Sequence, residues 1–236
     1  CRSGATAVTM MPCRITPGDA KLAASSRPIL RNIAWALGLC GLIVALQPLP
    51  VHADATDDYN VAIQFYKQER WDIAARSFRT FLKDNARHPQ APAARLYLGQ
   101  ALVQQRKFNE ARDVFREYVK LNADAQDVAL ARFRVAECRY FLQEDQPALR
   151  EVDEYLDRHP GHELVPRARL YRGQTQLRLN DAAGAAETLA IVIEKKPDPA
   201  LLAEAQYALA SAQEALGKSD AAIAIYEQLA GNPESP

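Results

Sequence analysis

The fold is decided by the stretch ARDVFREYV, residues 111–119, because its pattern recurs along the chain at a fixed interval. The small residue Ala111 is followed by large apolar residues four, seven and eight positions later, which is the spacing of one face of an α-helix. The same small residue recurs every 37 residues, as Ala74, Ala111, Ala148, Ala185 and Ala222. A long and constant period of this kind indicates a solenoid, in which the same helix contact is built several times.

A second column of small residues lies twelve positions before each alanine, at Ala62, Gly99, Ala136, Gly173 and Ala210. Each unit therefore contains two amphipathic helices, which we call helix A and helix B in chain order. Small residues on both helices let the two backbones approach closely, and the large residues of helix B close the seam. The sequence predicts an all-α fold built from about five helix-turn-helix units.

These motifs resemble those of the tetratricopeptide repeat. Leu98-Gly99 and the later Ala111-x-x-x-Phe115 match parts of its pattern, W-x-x-L-G-x-x-Y…A-x-x-x-F…P. The sequence departs from it in two ways, since no Trp opens helix A and the period is 37 residues instead of about 34. The resemblance implies a right-handed superhelical α-solenoid of about five repeats. Their expected bounds are 54–86, 87–123, 124–160, 161–197 and 198–236.

The first 53 residues have the pattern of a leader rather than of a repeat. Arg27 and Arg31 precede an apolar run of 14 residues, 33–46, and residues 51–53 offer a small-residue cleavage site. This layout is typical of a secretory signal peptide. It predicts cleavage after Ala53 and export to the periplasm or the cell envelope.

The residues leave two alternatives to a cleaved leader. One is a permanent anchor, which is disfavoured because a membrane-spanning helix needs about 20 apolar residues. The other is lipidation at Cys40, which is disfavoured because Leu39 is the wrong size for that signal. The longer repeat period is similar to that of bacterial envelope proteins of the BamD type, which are outer-membrane lipoproteins, and of the CpoB (YbgF) type. That resemblance implies an envelope scaffold serving outer-membrane assembly or cell division.

Charge excludes one class of partner once the leader is set aside. The chain has 29 basic and 29 acidic residues, of which the first 53 residues hold five and one, leaving 24 and 28 and a net charge of −4. Nucleic-acid binding calls for a strongly basic face, which this balance does not favour. We therefore expect a protein or peptide partner in the envelope, and no nucleic acid.

The remaining residues contain no motif for catalysis or for a cofactor. His88, His159 and His162 fall in loops between repeats, and the spacing His159-x-x-His162 has no accompanying third ligand. Cys138 shares its column with small packing residues, so a buried and inert thiol is expected. Gly-rich phosphate loops, nucleophile elbows and His-Glu-x-x-His motifs are absent from the sequence. We expect no enzyme activity, no cofactor, no metal and no small-molecule substrate.

The concave wall is the expected binding surface, because the resemblance implies that helices A line it. Aromatic, amide and guanidinium groups recur in the columns that would face inward, and aromatic and arginine residues dominate interface hot spots. The predicted partner-binding residues are Tyr59, Tyr66, Tyr97, Gln100, Arg134, Tyr140, Tyr171 and Gln174. The same columns also suit packing between neighbouring helices A, and the sequence leaves both roles open.

One further column of helix A is basic and contains Arg95, Arg132 and Arg169. These arginines could form a track for an acidic partner. Ion pairs with adjacent helices, with the arginine stems covering apolar surface, are the favoured interpretation.

The last repeat predicts an alternative function. Its helix B presents Ile223, Ile225, Tyr226 and Leu229, and no polar capping helix follows, although solenoids usually need one. The alternative is an assembly element that uses this end of the stack, with self-association through repeat 5 as one form of it.

Overall fold

The computed structural model describes residues 54–231, which are helical throughout and contain no strand. All of the described helices lie in one compact unit. The predicted all-α solenoid is confirmed, whereas the predicted leader, its apolar core 33–46 and the cleavage site after Ala53 lie outside the described residues. In chain order the helices are α1 Ala55–Lys67, α2 Trp71–Asp84, α3 Ala91–Gln104, α4 Phe108–Leu121, α5 Val128–Phe141, α6 Asp145–Arg158, α7 Val165–Arg178, α8 Ala182–Glu194, α9 Pro199–Ala215 and α10 Ser219–Ala230.

The turn from helix A to helix B has the same conformation in every pair. One residue of each turn is left-handed, with φ between 57° and 74°. In the first turn this residue is Glu69, and the next N–H, that of Arg70, donates to the carbonyl of Phe65 at 3.0 Å. This hydrogen bond closes the helix end in a Schellman motif. The left-handed residues are Glu69, Arg106, Gln143, Asn180 and Gly217, each 37 residues after the last.

The two columns of small residues form the seam between helix A and helix B. The alanines of helix B are buried, with Ala74, Ala111, Ala148 and Ala185 at 0% exposure and Ala222 at 3%. On helix A, a Cβ atom added at Gly99 would lie 2.5 Å from the Phe115 ring, closer than real Cβ atoms come. The small residues therefore set the distance at which each pair packs.

Helices A form the inner layer of the stack. Neighbouring helices A contact each other at α1–α3, α5–α7 and α7–α9, while no comparable contact joins two helices B among the described residues. Because the helices A are closer together than the helices B, the stack curves with the helices A on its concave side. We call the surface formed by α1, α3, α5, α7 and α9 the inner face.

Candidate functional site: the inner face

All eight residues that the sequence places on the binding surface lie on α1, α3, α5 and α7. Tyr171 is buried, at 8% exposure, and the other seven are half-buried. They do not form one continuous lining, because the structure gathers them into two separate clusters. We call these the first cluster (Tyr59, Tyr66, Tyr97 and Gln100) and the second cluster (Arg134, Tyr140, Tyr171 and Gln174).

The first cluster joins α1 to α3 with a neutral hydrogen bond and stacked rings. The hydroxyl of Tyr66 donates to Gln100 Oε1 at 2.6 Å. The Tyr66 ring meets the Tyr97 ring edge-on at 5.0 Å, and Tyr97 stacks on Phe78 of α2 at 5.8 Å. Burial and the neighbouring Tyr97 phenol raise the pKa of Tyr66, so the hydroxyl stays a donor over the physiological range.

Tyr59 lies at the outer edge of the first cluster. Its ring is 6.1 Å from that of Phe78 and 5.7 Å from that of Phe81, both on α2. Burial also raises the pKa of Tyr59, with a smaller contribution from Tyr97. Its packing therefore ties the inner face of α1 to its own helix B.

The second cluster repeats this geometry between α5 and α7. The hydroxyl of Tyr140 donates to Gln174 Oε1 at 2.7 Å, and the Tyr140 ring stacks on Tyr171 at 4.4 Å. Tyr171 in turn stacks on Phe133 at 6.0 Å. A tyrosine on one helix A is thus bonded to a glutamine on the next in both clusters.

A charged pair distinguishes the second cluster from the first. Glu137 is 6% exposed, and its carboxylate accepts from Arg134 Nη1 at 2.5 Å and from the Tyr171 hydroxyl at 3.2 Å. The Arg134 guanidinium lies 5.7 Å from the centre of the Phe133 ring, and its Nε–H has no acceptor among the described residues. Burial, with the Glu137 charge second, raises the pKa of Tyr171. The prediction omitted Glu137, although its column already contained Gln100 and Gln174, which were predicted to bind a partner.

A spacing of 74 residues, twice the repeat, could have revealed the two clusters from sequence. The stretch RLYLGQ at 95–100 recurs as RLYRGQ at 169–174, and Tyr66 recurs as Tyr140. His88 recurs as His162, and each packs edge-on against an aromatic ring, that of Phe81 or of Tyr155. Alternate repeats are therefore more alike than neighbouring ones at these positions.

Comparison with known families agrees with this geometry. A family model described as tetratricopeptide repeat matches residues 59–128 and 146–200, and a second with the same description matches residues 204–235. The chain belongs to the tetratricopeptide repeat family. No curated protein sequence matches it.

Two solved structures illustrate the similarity in fold. MamA from Desulfovibrio magneticus RS-1 is 14% identical, over 74% of this chain and 92% of that one, with a TM-score of 0.63. A tetratricopeptide repeat protein from Parabacteroides merdae ATCC 43184 is 18% identical, over 74% of this chain and 64% of that one, with a TM-score of 0.62. At such low identity these similarities show the fold alone.

The basic column of this tetratricopeptide repeat chain is mostly engaged in ion pairs. Arg95 Nε lies 3.2 Å from Glu117 Oε1, and Arg132 Nη1 lies 3.1 Å from Glu154 Oε1, each on the helix B of its own repeat. In the fourth repeat, Ile191 stands where the glutamates would be, and Arg169 has no ion pair among the described residues. The ion-pair interpretation is confirmed for the first two arginines.

The cysteine and the loop histidines of the repeats are packing residues in this structure. Cys138 is fully buried and free, and burial raises its pKa to about 12. His162 Nδ1 lies 2.9 Å from the Tyr155 hydroxyl and accepts from the N–H of Leu164 at 3.2 Å. Across residues 54–231, no group of three metal-ligating side chains comes together. Nor does any helix in that range have the length and apolar character to cross a membrane.

Proposed function

We propose that this protein is an exported, non-enzymatic scaffold that binds a protein or peptide partner through its inner face. The observation that carries the proposal is the pair of clusters in which a tyrosine hydroxyl is bonded to a glutamine of the next helix A. These bonds hold half-exposed aromatic rings in fixed orientations, so a partner loses little free energy in ordering them. Rigid amphipathic rings of this kind are typical of protein-binding surfaces.

The chemistry of the second cluster suggests what the partner offers. Phe141, next to Tyr140 and Tyr171, is 43% exposed and presents an apolar surface. Arg178 lies 4.4 Å above the Tyr140 ring, and the charges of Arg134 and Arg178 are already paired with Glu137 and Asp145. A peptide that offers an apolar side chain fits this surface.

The envelope is the compartment that we propose for this activity. Support comes from the signal-peptide pattern of residues 1–53, the net charge of −4 that remains without them, and the 37-residue period. Within that compartment, the similarity in period favours a role like that of the BamD or CpoB types, in outer-membrane assembly or in cell division.

Photo-crosslinking in intact cells tests the binding surface. A crosslinking residue replaces Gln104 or Phe141, which share an exposed column of helix A, and Leu121 on α4 serves as the control because it is also exposed, at 55%. We expect one partner to be captured from both inner positions and not from position 121. Equal capture at all three positions would refute the inner face as the binding surface.

A matched pair of variants then tests the contact with the captured partner. Phe141→Ser should weaken binding by about tenfold, as truncation of an aromatic hot spot does, and Leu121→Ser should not change it. Equal affinities for the two variants would contradict the proposal. Arg134 and Tyr171 are unsuitable for this test because both hold the buried carboxylate of Glu137.

A mass measurement tests the proposed export. Protein isolated from the envelope should begin at Asp54. An intact N-terminal segment in that sample would favour the anchor alternative instead.

A second candidate function is assembly through the α9–α10 end of the stack, and one observation favours it. Tyr207 and Ile223 are 61% and 53% exposed there, although they are large and apolar. Exposed apolar surface of this kind marks interaction sites.

A further inference from the structure

The α9–α10 end of the stack carries a cavity that Gln174 of the second cluster borders on one side. It has a volume of about 410 Å³, and Tyr207, Tyr226, Leu229 and Ala203 supply much of its apolar lining. The rings of Tyr207 and Tyr226 are 5.7 Å apart. We call the surface around this cavity the end face.

The fourth repeat shows what covers the equivalent surface elsewhere in this molecule. Tyr207, Tyr226 and Leu229 correspond, 37 residues earlier, to Leu170, Leu189 and Val192. Those three side chains are at most 1% exposed and form one cluster with residues of α9. The α9 residues in that cluster are Leu201, Ala205, Ala208 and Ala212. The occupant that suits this surface is therefore a helix with a leucine and three alanines at positions i, i+4, i+7 and i+11.

The acidic residues of α9 and α10 indicate which charge the polar side of such a helix should carry. Glu204 is paired with Arg167 at 2.9 Å. Glu214, Asp220 and Glu227 are exposed, and none of them has an ion-pair partner among the described residues. A helix with lysine or arginine beside its small apolar stripe would complement these carboxylates.

The α1 helix of a second copy does not suit the end face. To pack there as the later helices A do, α1 would have to bury the position that is fully buried in them, at Ala94, Ala131, Ala168 and Ala205. In α1 that position is Asp57, followed by Asp58. Burying an unpaired carboxylate there is costly, and these residues would also face the acidic end face.

We propose that the end face binds an amphipathic helix of another protein, with a stripe of small apolar residues and a basic flank. The structure of the complex would continue the stack by one helix, as α9 continues it from α8. The end face borders the inner face at Gln174, but Tyr207 belongs to neither cluster, so Tyr207→Ser and Phe141→Ser test the two proposals separately.

Two synthetic helical peptides test the proposal against the purified protein. Both carry leucine and three alanines in the spacing of α9, and they differ only in having lysine or glutamate on the flank. We expect binding of the lysine peptide and at least about tenfold weaker binding of the glutamate peptide. Failure of both peptides to bind, or equal binding, would overturn the proposal.

Variants at exposed positions locate the binding. Tyr207→Ser should lower the affinity for the lysine peptide by about tenfold. Leu121→Ser and Phe141→Ser should leave that affinity unchanged. Combined Glu214→Lys and Glu227→Lys should reverse the preference between the two peptides. If Tyr207→Ser has no effect, the peptide binds elsewhere and the assignment is wrong.

Sedimentation tests whether a second copy of this chain binds the end face instead. We expect a sedimentation coefficient that does not rise with protein concentration. Self-association that Tyr207→Ser abolishes would show that a second copy occupies the end face, which would also overturn the proposal.

Discussion

The first two repeats and the next two share a hydrogen bond between neighbouring helices A, but the side chains around that bond differ. In each half a tyrosine hydroxyl donates to a glutamine 34 residues later, at 2.6 Å for Tyr66 and 2.7 Å for Tyr140. In the first half the neighbouring positions hold Asn60 and Ile63, whereas in the second half they hold Arg134 and Glu137, 74 residues later. The tyrosine–glutamine bond is thus common to both halves, and the second half adds an ion pair beside it.

The difference shows that side chains of the inner face can vary while the packing of the helices is kept. A buried ion pair adds little stability compared with apolar residues of similar volume, yet removing one member is strongly destabilising. Arg134 and Glu137 therefore add little stability to the second half as a pair, but each one depends on the other.

Removing the Arg134 cation of the second half should cause the largest loss of stability. Arg134→Leu leaves the Glu137 carboxylate buried with only the Tyr171 hydroxyl as a donor. We expect a loss of about 3 kcal/mol in the free energy of unfolding, measured by urea denaturation.

The first half supplies the control for that variant. The combined change Arg134→Asn and Glu137→Ile copies Asn60 and Ile63 into the third repeat. It should recover most of the lost stability, because no charge is left unpaired. If the double variant is as unstable as Arg134→Leu, the burial of Glu137 is not the cause.

The glycines at the helix seam should differ between the halves. In Gly99→Ala the new Cβ would lie 2.5 Å from the Phe115 ring, and in Gly173→Ala 2.6 Å from Leu189 Cγ. Overpacking costs about 1–3 kcal/mol, and alanine returns about 1 kcal/mol in helix propensity. We expect a loss of about 2 kcal/mol at Gly99, where a buried flat ring must move, and about 1 kcal/mol at Gly173, where leucine can change rotamer.

Gly161→Ala is the matched control for the seam glycines. A Cβ atom at Gly161 would meet nothing within 4 Å, so the stability should change little. Equal losses at Gly99 and Gly173 would show that backbone movement, and not the side chain opposite, absorbs the new methyl group.

The sequence predicted the seam well because the seam depends only on residue size and spacing. Each small column alone was enough to place helix A against helix B. Pairs such as Tyr66 and Gln100 were harder, since a column identifies the face of a helix but not which residues of the next helix lie opposite. The sequence therefore named tyrosines and glutamines of both clusters without pairing them, and their role in partner binding stays a prediction.

Gly184 shows the limit of helix propensity as a guide. Propensity alone assigns it a cost of about 1 kcal/mol relative to alanine. In the structure it lies in the first turn of α8, and its N–H donates to Asp181 Oδ1 at 2.9 Å. A Cβ atom there would lie 2.2 Å from Asp181 Oδ2 and 2.4 Å from Gln176 Nε2, two groups that bond to each other. Glycine is needed for that network, which the sequence spacing did not reveal.

The tyrosine–glutamine bonds should contribute equally in the two halves. Tyr66→Phe and Tyr140→Phe each remove one hydroxyl and leave the glutamine Oε1 without its donor. We expect each variant to lose about 1 kcal/mol in the free energy of unfolding. The two losses should add in the double variant, because the sites lie in separate clusters. A much larger loss for Tyr140→Phe would mean that the Glu137 network also depends on its hydroxyl.

The smallest expected loss in the free energy of unfolding is that of a variant at Tyr155, which corresponds to Phe81 of the first half. Its hydroxyl lies 2.9 Å from His162 Nδ1, an atom that keeps the N–H of Leu164 when the hydroxyl is removed. Tyr155→Phe should therefore cost only about 0.5 kcal/mol at pH 8.

Alkaline pH should close that gap in unfolding free energy between Tyr155→Phe and the unchanged protein and then reverse it, because two pKa units correspond to about 3 kcal/mol. Burial, with Glu163 second, raises the pKa of Tyr155 from 10.0 to about 12. A raised pKa favours the protonated phenol in the fold, so this stability is complete below pH 10 and is lost as the pH rises toward 12. Cys138 titrates in the same direction in both proteins, so their comparison isolates the tyrosine. Urea titrations at intervals from pH 8 to pH 11.5 measure the gap, and an advantage of the unchanged protein that grows with pH would contradict the assignment.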